Sequence, residues 1–331
     1  MFRPAKALVL ALALSSSTLV GGAWAQAAPA AVVAPAATEV PPIGFKSRVL
    51  ANGMKLFYSL DRATPNVTVQ VWYGVGAKDD PAGRSGFAHL FEHLMFKATR
   101  NLPAESFDRM TEDVGGFNNA STWSDFTNYY EVVPASHLQR LLWAESERLG
   151  SLVVDEASFK SERDVVKEEL RLRVLADPYG RFFRIAIPSA SYTTHPYKRP
   201  GIGSIEDLDA ATIDDVLAFH ATYYRPDNAA LIVVGNFDEA ELNAWVDRYF
   251  GSLKTPATPL PRVTVREPAR TASRTVTSYA PNVPLPAVAI TWQGPAAADP
   301  DAAALRVLDA ILSGGKSSRL YNSLVYDQQI A

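Results

Sequence analysis

The sequence predicts an α+β fold, in which a mixed, largely antiparallel sheet is flanked by helices. Short strand-like runs and longer amphipathic segments follow one another in mixed order, not as regular strand–helix repeats. Asn52-Gly53 lies between two such runs and predicts a hairpin, whose strands pair antiparallel. The 331 residues carry a net charge of −3 without a basic cluster, so neither nucleic acid nor a membrane surface is an expected partner.

The first 25 residues have the three regions of a secretory signal. Arg3 and Lys6 are basic, residues 7–14 are apolar, and residues 23–25 form a small-x-small cleavage site, with a second candidate site at 25–27. A membrane anchor is the alternative, but the apolar run is too short to span a bilayer. We therefore expect export without stable membrane insertion after signal cleavage. The chain has no cysteine, which excludes a lipoprotein anchor and a disulfide framework.

The remaining chain divides by composition. Residues 26–42 are rich in Ala, Pro and Val and predict an unstructured spacer, which is followed by a first domain over residues 43–254. Four prolines between residues 255 and 268 indicate a linker. Residues 269–331 are expected to begin a second domain that is incomplete, with strands at 274–279 and 287–292 and helices at 300–312 and 317–325.

The elements of the first domain follow from apolar periodicity and turn signals. Strands are predicted where apolar residues alternate or form short runs bounded by turn residues, at 49–59 (the hairpin), 66–74, 117–123, 126–133 and 229–234. Helices are predicted where apolar residues recur at helical spacing, at 85–99, 105–114 (ended by two glycines), 137–149, 155–176, 212–223 and 239–250.

The helix predicted over 85–99 contains the pattern H-x-x-E-H at His89, Glu92 and His93. On a helix the two histidines lie one turn apart on one face, where their nitrogens can bind a single metal ion. Glu92 reaches the same region without being needed as a ligand. Two ordinary surface histidines are the alternative, but the apolar neighbours predict a buried helix, and buried His and Glu side chains need partners. The pattern is the reverse of the zinc-binding H-E-x-x-H.

A catalytic zinc ion typically has three protein ligands and one open position, so a third ligand must lie elsewhere. The helix predicted over 155–176 carries Glu162, Glu168 and Glu169. Glu162 and Glu169 are two turns apart, in line beside an apolar stripe, whereas Glu168 points about 100° away. A solvated, charged helix is the alternative interpretation of this segment.

These two segments, H-L-F-E-H from His89 and E-R-D-V-V-K-E-E from Glu162, resemble the pitrilysin/insulinase family of zinc metallopeptidases, which includes the mitochondrial processing peptidases. The resemblance continues at residues 119–122, 125–130, 224–228 and 232–235. It implies that the third zinc ligand is a Glu about 76 residues after the second His, which is Glu169. It also implies that Glu162 supports the site.

The resemblance implies one Zn²⁺ per chain, held by His89, His93 and Glu169, with Glu92 as the general base. It further implies that a peptide substrate pairs as an added strand with Asn119 and Ala120, although an ordinary edge strand is an equal alternative there. The family encloses unfolded peptides between two halves of a clamshell. We therefore expect a second homologous half, in the same longer chain or in a partner subunit, and this chain resembles a fragment of a longer protein.

Two functions follow from the resemblance. The first is a periplasmic zinc-dependent endopeptidase that hydrolyses unfolded peptides or small proteins. The second is a non-catalytic peptide-binding or scaffold subunit of a two-part peptidase. Degraded metal motifs mark the non-catalytic members, whereas all five motif positions are intact here, which favours the enzyme.

Overall fold

The centre of the molecule is a six-stranded sheet. In this computed structural model, which describes residues 41–331, the strand order is β1-β2-β6-β3-β5-β4. Only β2 and β6 pair parallel, and every other neighbouring pair is antiparallel. The predicted α+β class with a mixed, largely antiparallel sheet is therefore confirmed. The strands are β1 (Lys46–Val49), β2 (Lys55–Leu60), β3 (Asn66–Tyr73), β4 (Phe117–Thr122), β5 (Thr127–Pro134) and β6 (Ala229–Gly235).

Ten α-helices are described between residues 41 and 331: α1 (Phe87–Leu94), α2 (Ser106–Glu112), α3 (Leu138–Ser151), α4 (Glu156–Leu170), α5 (Ile187–Ser191), α6 (Ile205–Asp209), α7 (Ile213–Tyr223), α8 (Glu239–Phe250), α9 (Asp301–Ser313) and α10 (Arg319–Tyr321). π-Helical turns over Arg171–Leu175, Phe182–Ala186 and Asn322–Asp327 interrupt or extend them. Short 3₁₀ turns cover Ala77–Asp79, Ala135–His137, Pro196–Lys198 and Pro226–Asn228. Among the described residues, no helix combines the length and apolarity needed to cross a membrane.

The core lies between one face of the sheet and the helices packed on it. Alternate residues of β3, beginning with Val67, point into this core and are buried, as the period of a strand requires. On α1 the apolar residues Phe87, Leu90 and Leu94 are buried in the same hydrophobic cluster. The opposite face of α1, which carries the histidines, is left facing a cleft.

A buried ion cluster lies within the same core. The Arg148 side chain is fully buried, and its guanidinium forms ion pairs with Glu131 on β5 and with Glu145 one turn earlier on α3. It also lies over the rings of Phe107 and Tyr129, at 4.1 and 4.5 Å from their centroids. Burial, together with the neighbouring Glu145, raises the pKa of Glu131 well above its usual value. The cluster thus joins the sheet, through Glu131 on β5, to helix α3.

The prediction of strands at 274–279 and 287–292 is wrong, because both segments are irregular in the structure. Their side chains include Tyr279 and Trp292, which are 92% and 80% exposed. An apolar run becomes a strand only when a neighbouring strand pairs with its backbone, and no described strand lies beside these segments. The signal segment and nearly all of the predicted spacer fall within residues 1–40, outside the described residues, and the predicted domain bounds stay predictions.

Candidate metal site

The N-terminus of α1 is fixed by a buried carboxylate. The Asp80 oxygens accept hydrogen bonds from the backbone N–H groups of Gly86 and Ala88, at 2.7 and 2.9 Å. Burial raises the pKa of Asp80 to about 7 in spite of these hydrogen bonds. Gly86 has a φ of 94°, and an added Cβ there would lie 2.7 Å from the Ile202 carbonyl oxygen. Only glycine suits such a position, which sets the direction in which α1 leaves the loop.

The polar face of α1 carries the H-x-x-E-H residues. The ring centroids of His89 and His93 lie 5.0 Å apart, as expected for neighbours on successive turns. Neither ring is fully exposed, since their side chains are 15% and 22% accessible. The helix therefore has the predicted arrangement, with an apolar face in the core and both imidazoles at one point of the cleft.

Helix α4 supplies the acidic side of the site. Asp155 begins it by accepting a hydrogen bond from the Ser158 N–H, a capping arrangement that the sequence D-E-A-S allows. Glu162 and Glu169 then face α1, whereas Glu168 is exposed and pairs with Arg171 at 3.1 Å. Helix periodicity thus distinguished the inward glutamates from the outward one.

Three candidate ligand atoms converge between the two helices. The Glu169 Oε2 atom lies 3.6 Å from His89 Nε2 and 3.5 Å from His93 Nε2. One donor atom from each of these three residues falls within 4.8 Å of the others. A tetrahedral zinc ion with bonds of about 2.0–2.1 Å holds its ligand atoms about 3.3–3.4 Å apart. Since two imidazoles and a carboxylate are also a typical donor set for zinc, the residues present fit this ion.

Three neighbouring charges support the candidate ligands. His93 Nδ1, the nitrogen turned away from Glu169, lies 3.5 Å from Glu162 Oε2. The other Glu162 oxygen accepts a hydrogen bond of 2.8 Å from Lys97. Arg173 Nη1 lies 2.8 Å from Glu169 Oε1, the oxygen that does not face the histidines. Such outer contacts fix the orientation of a ligand and, for histidine, which ring nitrogen carries the proton.

Glu92 stands beside the three converging atoms but is not one of them. Thr122, the last residue of β4, donates a hydrogen bond of 2.5 Å to Glu92 Oε2. Burial raises the Glu92 pKa, although the Thr122 hydrogen bond acts in the opposite direction. The Glu92 carboxylate is thus oriented by Thr122, and it is more basic than that of a solvated glutamate.

The two histidines have opposite electrostatic environments. Burial, reinforced by the neighbouring His93, lowers the pKa of His89 to about 4. Burial also acts to lower the pKa of His93, but hydrogen bonds with Glu162 and Glu169 outweigh it and raise the value to about 9. The carboxylates respond in turn, because the hydrogen bond with His93 lowers the pKa of Glu169. At neutral pH without metal, these pKa values favour a neutral imidazole at His89 and an imidazolium, protonated on both ring nitrogens, at His93.

The site opens into a cleft of about 610 Å³. One wall is the end of β4, an edge strand of the sheet, where Asn119 and Ala120 line the cleft. The Asn119 side-chain oxygen accepts a hydrogen bond of 2.8 Å from the Ala120 N–H. Both predicted substrate-contacting residues are therefore beside the candidate ligands, while their role stays a prediction.

Sequence reasoning missed three residues that contact this site, namely Thr122, Lys97 and Arg173. Each is a single polar residue on an element predicted for other reasons. Arg173 could have been found, because it follows Glu169 by four residues and such pairs meet on a helix face. Thr122 and Lys97 carry no comparable signal, since their partners are distant in sequence or fixed by helix packing.

A helix pair that presents two imidazoles and a carboxylate to one point, with a free carboxylate alongside, defines the class of zinc-peptidase-like sites. Comparisons with known proteins agree. Residues 56–202 match the family described as insulinase (peptidase family M16), and residues 210–331 match the one described as peptidase M16 inactive domain. The chain belongs to the M16 peptidase family, the pitrilysin/insulinase family that the motifs indicated.

The similar proteins are named as proteases. Zinc protease PqqE of Helicobacter pylori is 36% identical over 292 residues, covering 86% of this chain and 65% of that protein. A solved structure of a protease from Helicobacter pylori has a TM-score of 0.81 at 32% identity, covering 88% of this chain and 70% of that one. Two structures of the periplasmic protease PqqL from Escherichia coli, one of the protein and one of its first half, both have a TM-score of 0.62 at 24% identity. Each match covers 68% of this chain, and it covers 25% of the PqqL structure and 49% of the first-half structure. At this identity the matches show likeness of fold alone. The chain thus spans 65% of the length of its curated relative PqqE.

Proposed function

We propose that this chain carries the metal site of a zinc-dependent endopeptidase, with His89, His93 and Glu169 as the ligands of one Zn²⁺. The observation that carries the proposal is the convergence of three donor atoms within 4.8 Å beside the unliganded carboxylate Glu92. Similar proteins are named as zinc proteases, which supports the same metal and the same reaction.

The chemistry divides between the ion and the side chains. Zinc, when bound, supplies a Lewis acid that polarises the scissile carbonyl and lowers the pKa of water. Glu92 accepts the proton of the attacking water and then returns it to the leaving amine. Thr122 orients Glu92 through its 2.5 Å hydrogen bond, and burial keeps the carboxylate basic enough to take that proton. Glu162 acts through His93, because its Oε2 atom lies 3.5 Å from the ring nitrogen that faces it and can accept a hydrogen bond from that N–H.

We propose that an unfolded peptide binds along the free edge of β4. An extended peptide can add to such an edge through backbone hydrogen bonds, which recognise the chain rather than its side chains. Asn119 and Ala120 lie on this edge, in the same cleft as Glu92. A bound peptide would replace the hydrogen bond that Asn119 makes to the Ala120 N–H. The scissile bond would then pass directly beside the carboxylate.

A second homologous half is proposed as the partner that covers the cleft, in the same longer polypeptide or in a separate subunit. The support is that PqqL, which shares this fold, has a structure described as its first half. Periplasmic location is proposed as well, because residues 1–25 have the pattern of a secretory signal and PqqL is described as periplasmic.

Removal and return of the metal tests the function and separates it from a scaffold role. The purified protein is assayed for cleavage of a long unstructured peptide, alone and with a homologous second half, before and after treatment with a chelator. An endopeptidase loses cleavage on chelation and regains it with one equivalent of Zn²⁺. A scaffold binds the peptide under all these conditions and never cleaves it, which would contradict the proposal.

A further inference from the structure

A second pocket adjoins the metal cleft. It has a volume of about 450 Å³ and is lined by Arg173, Asp177, Gly180, Phe183 and Arg184. Two of these residues, Arg173 and Arg184, also line the cleft that holds the candidate zinc ligands. The two cavities therefore meet at a pair of arginines, and a peptide in the cleft passes beside the pocket.

A tight turn lets the two arginines line one pocket although they are 11 positions apart in the sequence. Arg173 lies on the π-helical turn after α4, and Arg184 lies on the turn over Phe182–Ala186. Between them, Gly180 is so close to the preceding turn that a Cβ would lie 2.5 Å from the Val174 carbonyl oxygen. Because only glycine permits this approach, the backbone itself sets the spacing of the pair.

The positive charges around the cleft differ in whether they are neutralised. Lys97 pairs with Glu162 at 2.8 Å, and Arg173 pairs with Glu169 at 2.8 Å. Arg184 has neither an ion pair nor a side-chain hydrogen bond to any residue from 41 to 331. Asp177, the one acid in the pocket lining, uses a carboxylate oxygen to accept the Tyr179 N–H at 2.8 Å. Of these three cations, Arg184 is thus the one left without an acidic partner in the described part of the chain, and it is exposed to a ligand.

We propose that Arg184, assisted by Arg173, forms a subsite for a carboxylate of the peptide substrate. The inference rests on the proposed function, because it takes the neighbouring cleft to be the peptidase site. Arg173 contacts Glu169 itself, and an extended peptide advances about 3.3 Å per residue, so the recognised carboxylate lies within a few residues of the scissile bond. The subsite accepts an Asp or Glu side chain, or the carboxylate of a peptide C-terminus.

The lining of the pocket suits this ligand. A guanidinium presents a planar fork of donors that matches a carboxylate, and such charge-assisted hydrogen bonds exceed neutral ones in strength. Phe183 adds an apolar surface, which the methylene groups of a Glu side chain can cover. An arginine or lysine of the substrate would instead meet the guanidinium of Arg184, which has no acidic partner among residues 41–331, and is disfavoured at this position.

Binding of matched peptides tests the subsite without requiring cleavage. Fluorescence anisotropy of the chelated, metal-free protein compares labelled unstructured peptides that differ by one Glu→Gln change, each with a free or an amidated C-terminus. We expect the Glu peptide to bind about fivefold more tightly than the Gln peptide, the order of magnitude of one partly solvated charged hydrogen bond. A preference that follows the free C-terminus instead identifies the terminal carboxylate as the ligand.

Variants assign the effect to one residue. Arg184→Gln removes the preference, and Arg184→Glu transfers it to a Lys-containing peptide. Arg181→Gln is the matched control, because Arg181 is exposed on the same segment but lines neither cavity. Equal binding of the peptides, no binding of either, or a preference that survives Arg184→Gln overturns the subsite. Cleavage with no acidic preference refutes the subsite alone, whereas acidic preference without metal-dependent cleavage refutes the proposed function alone.

Discussion

Replacing Glu169 by glutamine separates the candidate third ligand from an adjacent glutamate that has the same chemistry. The substitution keeps the shape of the side chain but removes the charge, and a neutral amide is a poor ligand for zinc. It also leaves Arg173, now without its ion pair, beside a divalent cation. Both effects weaken zinc binding.

The expected loss of affinity exceeds that of an outer contact. Removing a residue that only supports a metal ligand costs about 10–100-fold. Because Glu169 offers its Oε2 atom at 3.5–3.6 Å from both imidazoles, its loss should cost at least about 100-fold, or about 2.8 kcal/mol. The exposed Arg173 contributes little to this figure, since its ion pair is largely solvated.

Glu168→Gln is the matched control for this measurement. Glu168 precedes Glu169 directly and is exposed, and its one ion pair within residues 41–331 is with Arg171. Its substitution should leave the zinc dissociation constant within about twofold of the original, as expected for an exposed ion pair. The assay is competition with a chromophoric chelator at fixed pH, accompanied by circular dichroism to show intact folding. Equal zinc affinities in the two variants would refute Glu169 as a ligand.

Three further predictions concern the candidate metal site and the buried ion cluster. Zinc binding at pH 7 should release about one proton, because His93 has a pKa of about 9 without metal and must be neutral as a ligand. The zinc affinity should therefore weaken about tenfold for each pH unit below 9. Calorimetry in buffers of different ionisation enthalpy measures the proton release, and its absence would contradict the prediction. Glu162→Gln should weaken zinc binding about 10–100-fold in the competition assay, and an unchanged affinity would remove its supporting role. Arg148→Met should lower the free energy of unfolding by about 3–5 kcal/mol in urea denaturation, because it leaves two carboxylates buried without their cation, whereas Arg140→Met on the exposed face of α3 should cost little; similar losses in both would contradict this.

The elements that sequence alone predicted well are those set by local periodicity. Helix α8 has the bounds predicted from apolar spacing, and the hairpin at Asn52-Gly53 joins β1 to β2 as expected. The position of β6 between β2 and β3 was not predictable, because it depends on pairing across more than 150 residues. The strands expected at 274–279 and 287–292 show the same limit, since alternation without a pairing partner does not make a strand.

The candidate site divides in a similar way. His89 and His93 could be found because four-residue spacing on a helix fixes their proximity, and helix periodicity also excluded Glu168. That Glu169 rather than Glu162 faces both imidazoles required the family resemblance or the structure. Thr122 stands in the matched run 119–122, but nothing in the sequence identified it as the partner of Glu92, which lies 30 residues earlier on another element. Arg184 carries no sequence signal, because only the packing of its segment brings it to the cleft.

The most direct test of the proposed chemistry is Glu92→Gln, with zinc content and peptide cleavage measured on the same sample. Glu92 lies beside the three candidate ligands, and its carboxylate is held by Thr122. Elemental analysis should find one zinc per chain, as in the unsubstituted protein. Cleavage of a long unstructured peptide, with a second half present if one is required, should fall by at least about 100-fold, the scale of a general base. Full cleavage by the variant would contradict the assignment of Glu92 as the base, and loss of zinc would make it a ligand instead.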